Sequence, residues 1–334
     1  MHSDRIVSES IRLFDAFQFS EAHELPLLLA KLSIESPLIE KWVIVENTFT
    51  HKGKPKRAEL VDLLDADRAF DPFRDRIVVV SLDEDFVSQY PDGLRDRIKL
   101  IGKQILPSYD DAQARVVFEE RPYWYAERRQ RDAALEVILE ISGGEGWVLV
   151  SDADEFVDCS TPRRRDLIVR ALRSGAGVTR LRRQRFNYDI DNFCPAVRFV
   201  GCAALRYLQQ QRVGLQSIRL SNDGLQPTVE PLVFEYSYCL PRADVDRKLA
   251  TYIHVDPGAA AVNVALECNH GFLPTAPNRI DYEMWYQKVD LEAVEAPEYV
   301  VEHEQQFRTG NVNPEYAEAR RRRYPDLFGW PGFG

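Results

Sequence analysis

Apolar residues in the first third of the chain fall into short continuous runs that alternate with segments of helical spacing. The runs at 11–19, 42–46 and 76–82 predict buried β-strands, because a strand covered on both faces is apolar throughout. Between these runs, the segments 21–34 and 59–70 carry apolar residues at helical spacing. Repeated alternation of strand and helix predicts βαβ units in a parallel, doubly wound sheet.

The fourth apolar run, 147–150, leads directly into the acidic cluster 152–155, which reads Asp-Ala-Asp-Glu. An amphipathic helix is predicted before it at 126–142, and the polar segment 83–125 is predicted to cross the rim of the sheet. Ligands of open α/β sheets bind beyond the carboxyl ends of the strands. The acidic cluster therefore marks the expected binding site.

The second half of the chain contains further strand-like segments, so the sheet is predicted to continue with mixed or antiparallel strands. Strands are predicted at 177–186, 197–207, 215–220 and 231–239. Helices are predicted at 161–174, where Thr161 is the expected N-cap, and at 241–253, 279–291 and 313–323. The sequence has no internal repeat, linker or break in composition, which predicts a single domain over 1–334.

The composition is typical of a soluble globular protein. Of the 334 residues, 45% are hydrophobic and 29% are charged, and the net charge of −10 argues against a general nucleic-acid-binding role. No apolar run reaches the roughly 18 residues needed to span a bilayer, and the N-terminus lacks the pattern of a signal peptide. Five scattered cysteines without C-x-x-C spacing indicate reduced thiols. These features predict a cytoplasmic protein and are compatible with peripheral contact with a membrane.

Asp152 and Asp154 are two residues apart, so an extended chain points both carboxylates to the same side. Paired carboxylates suit a divalent cation such as Mg²⁺ or Mn²⁺ that also holds phosphate. Two other kinds of site fit less well. An EF-hand loop needs glycine at its sixth position, where this chain has Val157. A phosphatase of the haloacid dehalogenase type would carry its Asp-X-Asp near the N-terminus, with Thr or Val at the position of Phe156.

Arg131 lies in the middle of the apolar stripe of the predicted helix 126–142. An arginine on a buried stripe is unusual. Its aliphatic part could cover the core while the guanidinium reaches solvent. Alternatively, the guanidinium binds a diphosphate or the acidic cluster 152–155. The sequence leaves both interpretations open.

Several short motifs follow one another in a specific order along nearly the whole chain. They are Asp15-Ala16-Phe17, Glu24-Leu25, Trp42-Val43-Ile44-Val45-Glu46, Thr48-Phe49-Thr50, Gly53-Lys54-Pro55-Lys56, Gln130-Arg131, Val150-Ser151-Asp152-Ala153-Asp154-Glu155, Gly201-Cys202, Tyr236-Ser237-Tyr238-Cys239, Lys248-Leu249, Asn313-Pro314-Glu315-Tyr316 and Arg323-Tyr324-Pro325. In this order the chain resembles family 17 glycosyltransferases, the group that contains β-1,4-mannosyl-glycoprotein N-acetylglucosaminyltransferase. After the acidic motif the family typically continues with Ile-Pro, where this chain has Phe156-Val157.

The resemblance implies a GT-A fold, which is an α/β architecture with a Rossmann-like mixed sheet flanked by helices. Residues from about 10–158 would bind the nucleotide-sugar, about 159–300 would form the acceptor side, and about 301–334 would form a helical tail. The implied activity is that of a metal-dependent inverting glycosyltransferase. It would move a sugar, N-acetylglucosamine in the first place, from a UDP-sugar donor to a hydroxyl of a glycan or another acceptor.

The resemblance also implies roles for individual residues. Asp154 would bind Mn²⁺ or Mg²⁺, and Asp152 would bind the metal or the donor ribose. The metal would stabilise the charge on the departing nucleotide. Phe17 and Glu46, at the ends of the first two strands, would contact the nucleoside. His254 would bind the metal or the diphosphate, unless it only stabilises a helix end.

An inverting transfer needs a general base that takes the proton of the acceptor hydroxyl. Where family members often have Gly-Trp-His, this chain has Val-Phe-Glu at 233–235, which makes Glu235 the first candidate. Asp189, Asp191 and Asp256 are further candidates. Each of these carboxylates could instead pair with one of the many arginines. The departure from the family pattern leaves the acceptor open.

Two hypotheses of other classes stay open on the sequence alone. A phosphohydrolase would use Asp152 as its nucleophile, although the Thr and Lys motifs expected downstream are missing. A catalytically silent relative would bind carbohydrate without nucleotide or metal. The loops predicted to contact the acceptor, at 83–125, 187–196 and 257–278, contain no pattern that identifies it.

Overall fold

A computed structural model describes residues 11–91, 111–187, 189–220, 228–251 and 290–309. Its strands are β1 Leu13–Gln18, β2 Lys41–Asn47, β3 Ile77–Leu82, β4 Trp147–Val150, β5 Glu155–Val157, β6 Val178–Asn187, β7 Asp189–Ala204 and β8 Pro231–Ser237. All of them join one sheet, in the order β3-β2-β1-β4-β7-β6-β8-β5.

The first four strands run parallel, as the alternation of strand and helix predicts. β1 pairs with β2 on one side and with β4 on the other, and β2 pairs with β3. The order β3-β2-β1-β4 is that of the first half of a doubly wound sheet, and its direction of winding reverses between β1 and β4. These two strands pair in register as far as Ala16 and Val150. A crevice therefore opens beyond these two residues.

The remaining strands make the sheet mixed, which confirms the prediction for the second half. β7 pairs antiparallel with β4 and with β6, β6 pairs parallel with β8, and β8 pairs antiparallel with β5. The acidic cluster connects β4, near the middle of the sheet, to β5 at its far edge. The protein is thus an α/β protein with a mixed sheet flanked by helices.

The described helices include long elements that pack on the sheet and short ones between strands. The α-helices are α1 Leu25–Glu35, α2 Leu60–Ala66, α3 Asp111–Ser142, α4 Pro162–Ser174, α5 Leu205–Gln211, α6 Leu215–Leu220, α7 Arg242–Thr251, α8 Glu298–Glu302 and α9 Glu304–Phe307. Ala22–Glu24 and Arg68–Arg76 form 3₁₀-helices. Thr161 Oγ1 accepts a hydrogen bond from the backbone amide of Arg164 at 3.2 Å, which confirms Thr161 as the N-cap of α4.

Two predictions of local structure are wrong because tertiary packing outweighs local pattern. The predicted rim segment 83–125 is helical from Asp111 onward, with Pro122 inside the helix. Proline removes one helical hydrogen bond, a local cost that the rest of this long helix outweighs. The predicted strand 215–220 is α6, and Ile218 of this helix lies over Gly201 of β7. Six residues are too few for periodicity to separate helix from strand.

Other boundaries also shift. The predicted strand 197–207 ends at Ala204, where α5 begins. The predicted loop 187–196 belongs largely to the β6–β7 hairpin, in which Phe186 pairs with Phe193. The predicted helix 313–323 and most of 279–291 lie outside the described residues.

Apolar side chains cover both faces of the sheet. Alternation along β1 sends Leu13 and Phe17 towards α1, and Phe14 and Ala16 towards α3. The interior of the sheet is therefore filled, and polar side chains gather beyond the strand ends. None of the helices in the described ranges combines the length and apolar character needed to cross a bilayer.

Candidate functional site

A pocket opens beyond the ends of β1 and β4, at the point where the sheet's winding reverses. Its walls come from the residues after β1, β2 and β4, and from α3, β8 and α7. Asp152 and Asp154 line it together with the cationic side chains of Lys56, Arg131 and Lys248. The acidic cluster therefore lies at the crevice where α/β sheets bind ligands.

Asp152 lies at the mouth of the pocket, with 37% of its side chain exposed. Oδ1 accepts a hydrogen bond from Arg131 Nη2 at 2.8 Å, and Oδ2 contacts Arg219 Nη2. Burial raises the pKa of Asp152, but the charges of Arg219 and Arg131 outweigh it and hold this pKa well below its usual range. Asp152 is thus an ionised carboxylate held between two guanidinium groups.

Asp154 is buried deeper in the pocket. Its Oδ2 accepts a hydrogen bond from Lys248 Nζ at 3.0 Å, and its carbonyl accepts one from the Tyr236 amide at 2.8 Å. Burial raises the pKa of Asp154, the Lys248 ammonium lowers it, and the charges of Glu235 and Asp152 raise it again, so the net shift is upward. The Lys248 ammonium is therefore the main charge that favours the ionised form of Asp154.

Glu155 fixes the shape of the acidic cluster from beneath. Its Oε2 accepts hydrogen bonds from the backbone amide of Asp152 at 2.9 Å and from Arg219 Nη1 at 2.8 Å. Its Oε1 pairs with Arg183 of β6. The side chain is fully buried. These contacts fix the orientation of the loop that carries Asp152.

Arg131 contacts the acidic cluster, which is one of the two interpretations of this residue. Its Nη1 donates to the carbonyl of Ser151 at 2.6 Å, and its Nη2 donates to Asp152 and to Glu127 Oε1. Only 2% of the residue is exposed, so the guanidinium does not extend into solvent. Because Arg131 also lines the pocket, a bound anion could reach it.

Glu235 lies in the pocket, but both of its oxygens are engaged. Arg185 donates to them from Nε at 2.8 Å and from Nη2 at 2.9 Å, Arg183 lies 3.1 Å away, and Ser237 donates to Oε1. Burial raises the pKa of Glu235, but the two arginines outweigh it and lower the pKa to about 2. A carboxylate with this pKa is a weak base at neutral pH. The arrangement does not support the base role, which stays a prediction.

The two residues predicted to contact the nucleoside do not line the pocket. Phe17 is buried in the core with Lys31 Nζ 4.8 Å from the centre of its ring, and the next two residues, Gln18 and Phe19, line the pocket instead. Glu46 accepts hydrogen bonds from the backbone amides of Glu59 and Leu60, at 2.9 and 3.0 Å.

Glu46 therefore caps α2, which is a structural role. Alternation along β1 points Phe17 into the core, and the backbone amides at the start of α2 bind the Glu46 carboxylate. The structure does not place either side chain at the pocket, and their contact with a nucleoside stays a prediction.

Of the remaining candidates for the base, Asp189 lies outside the pocket lining. Its Oδ2 accepts a hydrogen bond from the backbone amide of Thr309 at 2.7 Å, so it ties the C-terminal segment 290–309 to β7. Asp191 belongs to β7, but its side chain lies outside the described parts of the structure. His254 and Asp256 also lie outside them, so their predicted roles stay predictions.

Two cations that contact the acidic cluster could not be assigned to it from local sequence pattern. Arg219 contacts both Asp152 and Glu155 from α6, a segment predicted as a strand. Lys248 reaches Asp154 from α7, and its Nζ also lies 3.3 Å from Glu24 Oε1. These partners are far apart in sequence, so no local pattern predicts the contacts. Lys248-Leu249 is one of the motifs that carry the family resemblance, but the resemblance assigned Lys248 no role.

The donor groups around Asp152 and Asp154 differ from those of a metal site. Mg²⁺ and Mn²⁺ bind oxygen ligands that are free to face the ion. Both oxygens of Asp152 face arginines, and Oδ2 of Asp154 faces Lys248. Within the described ranges, no group of three or more His, Cys, Asp or Glu side chains could hold a metal ion. In this arrangement the carboxylates do not fit a divalent cation, and their metal role stays a prediction.

Comparison with models of known protein families gave no match, and neither did comparison with curated protein sequences. The resemblance of the motifs to family 17 glycosyltransferases therefore enters the functional argument as a hypothesis.

Proposed function

We propose that this protein is a glycosyltransferase that uses a nucleoside diphosphate-sugar, with UDP-N-acetylglucosamine as the first donor to test. One observation carries the proposal. The Asp-X-Asp cluster follows a central parallel strand and lines a pocket where the winding of the sheet reverses, beside cationic side chains. Open α/β sheets bind nucleotides in such a crevice. The GT-A fold implied by the sequence belongs to this proposal.

The cations of the pocket suit a diphosphate. Lys56 Nζ is buried 3.6 Å from Glu46 Oε1 and makes no hydrogen bond within the described part of the chain. Arg131 and Lys248 line the same pocket. Ammonium and guanidinium groups bind phosphate oxygens strongly when they are shielded from water. Phe19 and Phe49 add apolar surface that a nucleobase could contact.

Of the alternatives, the phosphohydrolase gains no support. Its nucleophile would be Asp152, and both oxygens of Asp152 are held by arginines. The carbohydrate-binding relative differs from the glycosyltransferase in one measurable respect, since it would not need a nucleotide.

A nucleotide-sugar panel tests the proposal. A ligand that binds the folded state stabilises it, by about 2.7 kcal/mol at a hundred times its Kd. We expect UDP and one UDP-sugar to raise the melting temperature, and the correct donor to release UDP when sugar acceptors are added. Asp154→Asn should abolish the release. The exposed Asp62→Asn, outside the pocket, is the matched control.

The outcomes separate the three hypotheses. Stabilisation by a free sugar but by no nucleotide would indicate the carbohydrate-binding relative. A covalent phosphoryl group on Asp152 would indicate the phosphohydrolase. Failure of every nucleotide and nucleotide-sugar to bind would overturn the proposal.

A further inference from the structure

The acidic side chains of the site are each paired with a cationic side chain. Besides Asp152 and Glu235, which pair with arginines, Glu127 lies 3.2 Å from Arg131 Nη2. Asp154 and Glu24 share Lys248. The protein itself therefore balances these charges, and an added divalent cation would be repelled by these positive groups at short range.

Lys248 takes up the Oδ2 oxygen of Asp154, the oxygen through which a metal ion would otherwise bind on this side of the carboxylate. Its Nζ lies 3.0 Å from Asp154 Oδ2 and 3.3 Å from Glu24 Oε1, and it faces the ring of Tyr238 at 5.6 Å. Glu24 is itself held by the backbone amide of Ser20 at 2.8 Å. Three segments of the chain thus position one ammonium group at the wall of the pocket.

An ammonium group can act on an anion much as a small cation does. It is a compact point charge with three hydrogen-bond donors that can be shared between carboxylates and a ligand. The carboxylates of Asp154 and Glu24 both lie within 3.3 Å of Nζ, and two nearby negative charges favour the ammonium form.

We propose that Lys248, in place of a divalent metal ion, supplies the positive charge that meets the phosphates of the ligand. Asp154 and Glu24 are then positioning residues for Lys248, and no metal is required for the nucleotide to bind. The identity of the ligand as a nucleotide rests on the proposed function, whereas the exclusion of a metal ion from Asp154 does not.

The first test measures Mn²⁺ binding to the full chain without nucleotide, by electron paramagnetic resonance. We expect no binding to the wild type at millimolar Mn²⁺. Lys248→Met leaves Asp154 and Glu24 without their cation, so a Mn²⁺ site should appear and should be lost again when Asp154→Asn is added. Wild-type Mn²⁺ binding that Asp154→Asn abolishes would overturn the proposal.

The second test measures the affinity for UDP and for pyrophosphate in excess chelator, by calorimetry. Wild-type affinity should not change when the chelator is replaced by Mn²⁺. Lys248→Met should weaken binding by about tenfold or more, since a hydrogen bond to a charged group is lost. Lys248→Arg should keep most of the affinity for UDP and pyrophosphate. Retained affinity would show that the fold tolerates substitution at this position.

Arg247→Met is the matched control, because this cation is on the same helix and 54% exposed, outside the pocket lining. UDP binding by the wild type that strictly requires Mn²⁺ would contradict the role of Lys248. If the wild type binds neither UDP nor pyrophosphate under any condition, the proposed function fails, and the Mn²⁺ titration still decides whether Lys248 excludes a metal ion.

Discussion

The ammonium of Lys31 lies 2.6 Å from Oδ2 of Asp15, and neither side chain has any exposed surface. Lys31 also donates to Ser151 Oγ at 3.0 Å and to the carbonyl of Glu155 at 2.6 Å, and it pairs with Glu35 at 2.8 Å. One buried cation therefore joins β1, α1 and the acidic cluster. The loop that carries Asp152 and Asp154 rests on this ion cluster.

Lys31→Met should destabilise the protein strongly. It leaves the carboxylates of Asp15 and Glu35 buried without their cation, and breaking a buried pair in this way costs about 3–5 kcal/mol. Urea unfolding measures the loss. Lys54→Met, at an exposed lysine, should stay within about 0.5 kcal/mol of the wild type. Equal stability of the Lys31 variant and the wild type would show that the cluster does not support the loop.

Asp132 positions the helix that carries Arg219. Its Oδ1 accepts a hydrogen bond from the backbone amide of Gln216 at 2.9 Å, at the start of α6. Asp132→Ala should lower the free energy of unfolding by about 1 kcal/mol, the usual effect of losing such a cap. Asp132→Asn keeps an oxygen that can accept this bond and should lose less. Thermal melts of the two variants test this, and equal losses would contradict the capping role.

Arg131 and Arg219 hold the two oxygens of one carboxylate, so their contributions to stability should not be additive. We expect a double-mutant cycle of Arg131→Met and Arg219→Met to give a coupling energy of about 0.5–3 kcal/mol, as for residues of one network. Arg163, which is 62% exposed and pairs with Glu230, gives the control cycle. The effects of Arg163→Met and Arg131→Met on the free energy of unfolding should be additive within experimental error.

Glu235 should make stability depend on pH in the acid range. Its pKa is about 2 in the folded protein against 4.5 for the ordinary group. A depressed pKa stabilises the fold above pH 4.5, and the contribution disappears as the pH falls through 2. It amounts to about 3 kcal/mol. The Glu235→Gln variant should therefore be less stable than the wild type at pH 7. Its free energy of unfolding should also change less between pH 4.5 and 2, as measured by chemical denaturation at each pH.

Kinetics of the same variant tests the base role. If Glu235 is the general base, replacing it by Gln should lower kcat far more than the affinity for UDP. The pairing of Glu235 with Arg183 and Arg185 leads us to expect that kcat and UDP affinity change together, because the arginines lose their anchor. A large fall in kcat with unchanged UDP affinity would restore Glu235 as the base.

The part of the site that the sequence predicted rests on local pattern. The run 147–150 is apolar because its strand is covered on both faces, and the acidic cluster follows where that strand ends. The parallel start of the sheet follows from the alternation of strands and helices. These features depend on neighbours in sequence, so the sequence alone determined them.

Tertiary structure decided which charges meet. Arg219 and Lys248 reach the acidic cluster from helices 64 to 94 residues away in sequence, and no periodic pattern encodes such a pair. The direction of each side chain was also decided in three dimensions. Phe17 points into the core, where it is buried, and Glu46 points to the start of α2, where it accepts a hydrogen bond from the Glu59 amide.

The sequence by itself therefore determined that two carboxylates follow a central strand, at the crevice of an α/β sheet. Only the fold decided that Asp154 meets an ammonium group and that Asp152 lies between two guanidinium groups. The physical reason is that burial of a charge is tolerated when an opposite charge is close. Which opposite charge comes close depends on how the helices pack on the sheet.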